Sequence, residues 1–356
     1  MSKFKKRDKK KFKRQNIQSQ NLCIKDNENF EMSEIQEEKR AEKKTREKGL
    51  KTQKSNLLLE KGRVIEIKSN YQAIVEIDNA PVECNIGGRL KQINFETRNI
   101  LAVGDFVHVD MANEPRIEEI LPRRNSLSRF SEDEFQVEII VAANIDQVII
   151  TSSIFQPDIR FGLIDRYLCA VEIAGIKPVI CVNKIDLIDS MLPFQDMLNF
   201  YENCGYQVIL TSVANGKGLA ELREALKDKD SVFSGHSGAG KSSILNALQP
   251  SLQRKTSEIS EHTQKGVHTT TNSCLVKWDF GGYLVDTPGI KTFGLNSNHK
   301  DLLPRIFPGF DNYWEHCKFS DCTHTHEINC AVKNAVEKDE IPWDRYDSYA
   351  RILESL

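Results

Sequence analysis

The rhythm of hydrophobic and polar positions changes three times along this chain. Through residue 57 it has no rhythm: Lys, Glu, Gln and Asn dominate and apolar residues are few. Such a stretch cannot bury enough surface to offset its ordering entropy, and a charged helix over Glu31–Lys48 would have no apolar face, so a disordered extension is expected. From about residue 60 apolar and polar positions alternate in short β-branched runs, Gly62–Lys68, Tyr71–Ile77, Val82–Ile86, Asp105–Val109 and Pro115–Ile120. Turn residues separate them (Ser69-Asn70, Asp78-Asn79, Gly87-Gly88, Gly104), and five such strands predict a small antiparallel barrel of OB-fold size. Beyond residue 136 the strands become continuously apolar: Ile145–Thr151, Pro178–Val182, Gln207–Leu210 and Ser231–Ser234. Helical stretches at 161–174, 194–203 and 217–227 lie between them, the pattern of a parallel sheet covered on both faces. Two more strands, Ser273–Trp278 and Gly282–Val285, follow, and the last stretch is short and helical at 331–338 and 343–355. The expected organisation is multidomain: a charged extension over 1–57, a barrel over 58–123, an α/β domain over 124–298 and a small helical domain over 299–356.

Composition changes this picture little. A hydrophobic fraction of 39% supports genuine cores in a chain of 356 residues, long enough for two or three domains. A net charge of -2 excludes a polycation, yet Lys3, Lys5, Lys6, Arg7, Lys9, Lys10, Lys11, Lys13 and Arg14 crowd one end against Asp8 alone. That tract reads either as an arm for nucleic-acid phosphates or as a solvated tail or localisation signal. No apolar run has signal-peptide or membrane-spanning length, so a soluble cytoplasmic protein with no membrane partner is expected. The nine cysteines are scattered apart from three near the C-terminus, which argues against a disulfide framework.

The chemistry is concentrated in four short motifs. Gly235-His236-Ser237-Gly238-Ala239-Gly240-Lys241-Ser242, followed by Ser243, fits the phosphate-loop pattern G-x-x-x-x-G-K-S/T between a strand and a helix. Its glycines let backbone N–H groups approach phosphate oxygens, Lys241 reaches the terminal phosphates and the Ser242 hydroxyl suits Mg²⁺. Asn183-Lys184-Ile185-Asp186, at the end of an apolar strand, suits guanine: a carboxylate at Asp186 accepts from both the ring N–H and the exocyclic amine. Adenine would face it with an acceptor, a buried mismatch of about 1–3 kcal/mol. Thr211-Ser212-Val213 ends the next strand, where a backbone N–H is expected to meet the guanine carbonyl. Asp286-Thr287-Pro288-Gly289 has the D-x-x-G form, with Asp286 near Mg²⁺ and the Gly289 N–H at the γ-phosphate. One of Thr269, Thr270 and Thr271, with Thr270 favoured, is expected to complete the Mg²⁺ shell from a switch segment. Ile290 stands where a water-orienting Gln is common, so free turnover is expected to be slow; His268 is the candidate for orienting water, against the plain reading of a surface histidine.

The order of these motifs carries further information. The base motif precedes the phosphate loop, the reverse of an ordinary GTPase, so the domain is circularly permuted and its switch end runs directly into the C-terminal segment. That segment holds Cys317, Cys322, His324 and Cys330, four soft-to-borderline ligands that suit one structural Zn²⁺, with His326 as an alternative fourth ligand. So short a segment should depend on its metal, and metal loss is expected to unfold 300–356 with GTP affinity retained.

Taken together these residues resemble the RsgA family of bacterial small-subunit biogenesis GTPases. The resemblance runs from about residue 60 to the C-terminus through Leu121–Asn125, Asn144–Gln147, Leu163–Tyr167, Asn183–Asp186, Gly235–Ser243, His268–Thr271, Asp286–Leu295 and Cys317–Val332. It implies an OB-fold, GTPase and zinc-domain architecture and GTP hydrolysis stimulated by the small ribosomal subunit. It also implies a late maturation role and binding to ribosomal RNA, by a protein expected to be monomeric. The alternative is a GTP-switched RNA- or ribosome-binding module in which hydrolysis only resets affinity. The extension before residue 58 has no counterpart in the resemblance.

Overall fold

The computed structural model describes residues 58–69, 71–91, 99–130, 138–251, 273–286 and 294–356. Residues 59–356 form one compact unit. The first five strands are β1 (Leu59–Ser69), β2 (Gln72–Ile77), β3 (Ala80–Ile86), β4 (Phe106–Asp110) and β5 (Arg116–Ile120). They pair in the cyclic order β1-β2-β3-β5-β4-β1, which closes the barrel. Alternation sends Val64, Ala73, Val75, Ile77, Cys84, Ile86, Val107, Val109 and Ile117 into its core. The barrel is antiparallel as expected apart from one pairing, β3 with β5, which is parallel. An odd number of strands cannot close a ring with every neighbour antiparallel.

The second sheet has the order β10-β9-β8-β11-β13-β12. It comprises β8 (Gln147–Ser153), β9 (Lys177–Asn183), β10 (Gln207–Leu210), β11 (Lys229–Ser234), β12 (Cys274–Lys277) and β13 (Gly282–Asp286), with β12 antiparallel and the others parallel. Its strands lack a polar face because both faces are covered. Val148, Ile150, Ile180, Val182, Val232 and Val285 enter one core with Ile164 and Leu168 of helix α2 (Phe161–Ile173) and Leu198 and Tyr201 of α3 (Leu192–Asn203). Ile149, Val179, Cys181, Phe233 and Leu284 enter the other, with Leu222 and Leu226 of α4 (Leu219–Leu226) and Ile244 and Leu248 of α5 (Lys241–Leu248). A one-turn helix, α1 (Gly88–Lys91), belongs to the barrel.

Three features go beyond the pattern of the sequence. A hairpin of β6 (Ser126–Phe130) and β7 (Glu138–Ala143) links barrel to sheet, with Val103 bridged to Ala142. The barrel is also joined to the second sheet, where Glu66 of β1 pairs with Cys274 of β12. Finally, the C-terminal segment, with α6 (Leu303–Ile306), α7 (Ala331–Glu337) and α8 (Trp343–Glu354), shares its core with α2 rather than holding a separate one. Among the described residues no helix is long and apolar enough to cross a membrane.

Candidate nucleotide site and metal centre

Parallel strands gather their C-terminal ends along one edge, where ligand sites of open α/β sheets form. Here β8, β9, β10, β11 and β13 deliver Thr151, Asn183, Thr211, Gly235 and Asp286 to that edge. The phosphate loop leaves β11 and enters α5 through glycines with φ of 139° at Gly235, 83° at Gly238 and 91° at Gly240. A Cβ would come 1.9 Å from the Thr151 carbonyl oxygen at Gly235 and 2.3 Å from Asn183 Nδ2 at Gly240. Both positions therefore require glycine for conformation and for space. The Lys241 ammonium lies over the loop and donates to the carbonyls of Gly235 at 2.6 Å and His236 at 2.8 Å. Ala239 is buried, whereas Ser237, Gly238, Ser242 and Ser243 are exposed on the loop and the first turn of α5.

The base motif is physically joined to this loop. Asn183, 2% exposed, donates from Nδ2 to the Ala239 carbonyl at 3.1 Å and accepts from the Thr211 hydroxyl at 3.2 Å. Lys184 takes a left-handed conformation, φ 65°, and leads into the 3-10 turn Ile185–Leu187 that carries Asp186. Ser212 donates its hydroxyl to Asp186 Oδ1 at 2.5 Å. Thr211 and Ser212 are engaged through backbone and side chain alike. Their backbone N–H groups are already committed, to the carbonyls of Val182 at 2.8 Å and Lys217 at 2.9 Å. Their hydroxyls bond Asn183 Oδ1 and Asp186 Oδ1. Asp286 ends β13, and burial raises its carboxyl above the usual carboxylate range. His268, Thr270 and Gly289 lie outside the described residues.

The chain-reversed motifs thus converge on one edge, phosphate loop beside base motif. Comparison with known proteins decides the family. The family model described as RsgA GTPase matches residues 120–296. A Flavobacterium psychrophilum protein, the small ribosomal subunit biogenesis GTPase RsgA, is 36% identical over 82% of this chain and 92% of its own length. The chain belongs to the RsgA GTPase family. Its namesake from Flavobacterium johnsoniae is 39% identical over 77% of this chain and 86% of its own. Among solved structures, YjeQ from Thermotoga maritima superposes with a TM-score of 0.69 at 33% identity, covering 84% of this chain and 99% of that one. YloQ, described as a circularly permuted GTPase, gives a TM-score of 0.64 at 30% identity over 83% and 94% of the two chains. As an RsgA-family GTPase the chain is a GTP hydrolase with a circularly permuted nucleotide domain.

The C-terminal cluster of this RsgA-family chain draws Cys317, Cys322, His324 and Cys330 together, each ligand atom within 4.8 Å of the others. His324 Nδ1 lies 3.3 Å from Cys330 Sγ and 3.5 Å from Cys317 Sγ, while its Nε2 meets the Pro304 carbonyl at 3.1 Å. That second contact fixes the ring so that Nδ1 faces the thiols, as in metal sites whose histidine is oriented from outside the ligand shell. His326 is 83% exposed and bonds Thr325, so it stands apart from the cluster. Burial lowers the His324 pKa, which favours the neutral imidazole a metal needs, and pushes the Cys322 thiol up to about 12. A cation among the thiols reverses that second effect by stabilising thiolates. Three sulfurs and one nitrogen at these separations fit a closed tetrahedral site and suit zinc.

A residue that motif reading did not single out for a role ties helix α2 to the C-terminal segment. Asp165 of α2 is fully buried and accepts from Arg345 at 2.6 Å, Ser348 at 2.6 Å and Tyr201 at 2.7 Å. Burial raises its carboxyl, and the Arg345 guanidinium opposes that rise. Arg345 and Ser348 belong to α8, whose Tyr346 and Tyr349 hydroxyls donate to the His324 carbonyl at 2.7 Å and the Thr323 carbonyl at 2.5 Å. One helix thus grips both the nucleotide domain and the backbone of the metal loop.

Proposed function

We propose that this GTPase acts in late maturation of the small ribosomal subunit, binding the subunit and its RNA and being stimulated by it. The barrel (58–123), nucleotide domain (124–298) and C-terminal domain (299–356) are its working parts, and cytoplasm is where it works. The single observation that carries the nucleotide chemistry is the Asn183–Ala239 hydrogen bond, which ties a guanine-type motif to a phosphate loop across reversed chain order. The small-subunit assignment is supported by the names of relatives that match this chain over most of both lengths.

In this reading the backbone N–H groups of Gly235–Ser243 and the Lys241 ammonium hold the GTP phosphates, and Asp186, with Asn183 and Lys184, reads guanine. Mg²⁺ would be held by the hydroxyls of Ser242 and Thr270 and, through water, by Asp286; it would neutralise charge developing on the phosphates. The raised Asp286 carboxyl is consistent with a group that gains from a neighbouring cation. The Gly289 N–H would sense the γ-phosphate and His268 would orient the attacking water. Zn²⁺ held by Cys317, Cys322, His324 and Cys330 would serve structure, since all four tetrahedral positions are taken by the chain.

Binding to small subunits by co-sedimentation, with a non-hydrolysable GTP analogue against GDP, tests the partner. Retention in the analogue state and release with GDP are expected. Equal retention of both, or of neither, would contradict a nucleotide-gated subunit factor.

A further inference from the structure

The turn that follows β8, Phe155–Asp158, touches both halves of the nucleotide site although none of the motifs includes it. It is firmly built. The buried Ser153 hydroxyl donates to the Pro157 carbonyl at 2.6 Å, and the Ile159 N–H donates to the Ile154 carbonyl at 3.3 Å. The Ile154 N–H donates to the Asn183 carbonyl at 2.9 Å, so the turn starts from the residue that anchors the base motif. Gln156 is held at φ 50°, and in that conformation its carbonyl accepts the Lys184 ammonium. The Pro157 ring lies against the phosphate loop, since a Cβ at Gly238 would stand 3.3 Å from its Cδ. All four residues of the turn are exposed, on the edge where strand ends gather.

We propose that Gln156 is a positioning residue for guanine-nucleotide binding, acting through its main-chain carbonyl on Lys184. The ammonium is drawn to the turn, and the Lys184 stem then runs beside Gly240, where a Cβ would lie 3.9 Å from Cε. A hydrocarbon stem fixed there presents an apolar face next to the Asp186 turn, where a purine ring needs one. A free lysine would lose its rotamer freedom when the nucleotide binds, whereas one already anchored does not, so the anchored site holds its ligand longer. The inference rests on the reading that Asn183–Asp186 hold the base. It adds a fixed wall, independent of switch movement, that sets residence time rather than the chemical step.

The test is the dissociation rate of a fluorescent GDP analogue, together with KM and kcat for GTP. Gln156→Pro fixes φ near −65° and displaces the carbonyl, whereas Gln156→Gly keeps the carbonyl and accepts positive φ without strain. Gln156→Pro should release the analogue roughly tenfold faster and raise KM, with kcat changed less than about twofold. Gln156→Gly should retain the parent rate. Ser153→Ala, which loosens the turn without forcing the backbone, should quicken release about threefold, and it decides the matter if Gln156→Pro does not fold. Parent-like release by folded Gln156→Pro and Ser153→Ala, or equal acceleration by Gln156→Gly, would overturn the proposal. Lys241→Ala is the control for the site itself: undiminished nucleotide binding by that variant would mean the phosphate-loop reading had failed, whatever the turn does.

Discussion

At the scale of single residues, the phosphate loop is set by positions where the backbone admits no side chain. Gly240 combines φ 91° with Asn183 packed where a Cβ would go. Gly240→Ala should therefore strain the loop by about 1–3 kcal/mol and push Asn183 off the Ala239 carbonyl. The expected result by calorimetry is at least a roughly tenfold loss of GDP affinity, about 1.4 kcal/mol or more. Asp186→Asn should exchange guanine preference for xanthine, whose ring carbonyl accepts from an amide, and competition between GTP and XTP measures it. Unchanged preference would remove Asp186 from base recognition. These residues were legible in the sequence because phosphate loops and base motifs are local: glycine spacing and one carboxylate suffice. The hydroxyls of Thr211 and Ser212 were harder to assign, since their partners Asn183 and Asp186 lie 28 and 26 residues away.

Among the elements, α8 carries the most consequence for its length. Its Arg345 and Asp165 form an ion pair with side chains 3% and 0% exposed. Removing one partner from such a pair strands the other charge, at a cost of about 3–5 kcal/mol. Arg345→Met should lose that much stability in urea unfolding, and adding Asp165→Leu to it should recover a substantial part. A double variant as unstable as the sum of its parts would show that the two do not act as a pair. The helices and sheet strands followed their hydrophobic periods closely, with α3 starting at Leu192 rather than 194 and β11 at Lys229 rather than 231. The β6–β7 hairpin did not, because Glu138–Ala143 is an apolar run without alternation and its partner lies across residues 131–137. The Asp165 network was equally silent, since its members are 36 and 180 residues apart.

Across the whole molecule, the barrel, sheet and C-terminal helices are joined rather than strung together. Arg63 of the barrel pairs with Asp230 of β11 at 2.5 Å, and Tyr283 of β13 donates to Glu76 of β2 at 2.5 Å. The hydrophobic core under α2 continues through Phe307, Phe310, Tyr349 and Ile352 to Cys322 and Cys330. Metal removal should accordingly do more than unfold 300–356 as an isolated module. Chelation should loosen α8, release Asp165 and lower the melting temperature of the nucleotide domain in one cooperative transition. Two separate transitions, with the GDP-stabilised one unmoved, would restore the modular picture that the short C-terminal segment implies from sequence. No sequence signal marks this joining, which depends on contacts between distant elements such as Glu66 and Cys274.

We propose that this permuted site hydrolyses GTP under control of the small ribosomal subunit. The most direct measurement is steady-state GTP turnover by the purified protein, alone and with purified small subunits, at matched salt. Slow turnover alone, strong stimulation by small subunits, and loss of both in Lys241→Ala are expected. Turnover that small subunits leave unchanged would contradict the proposal.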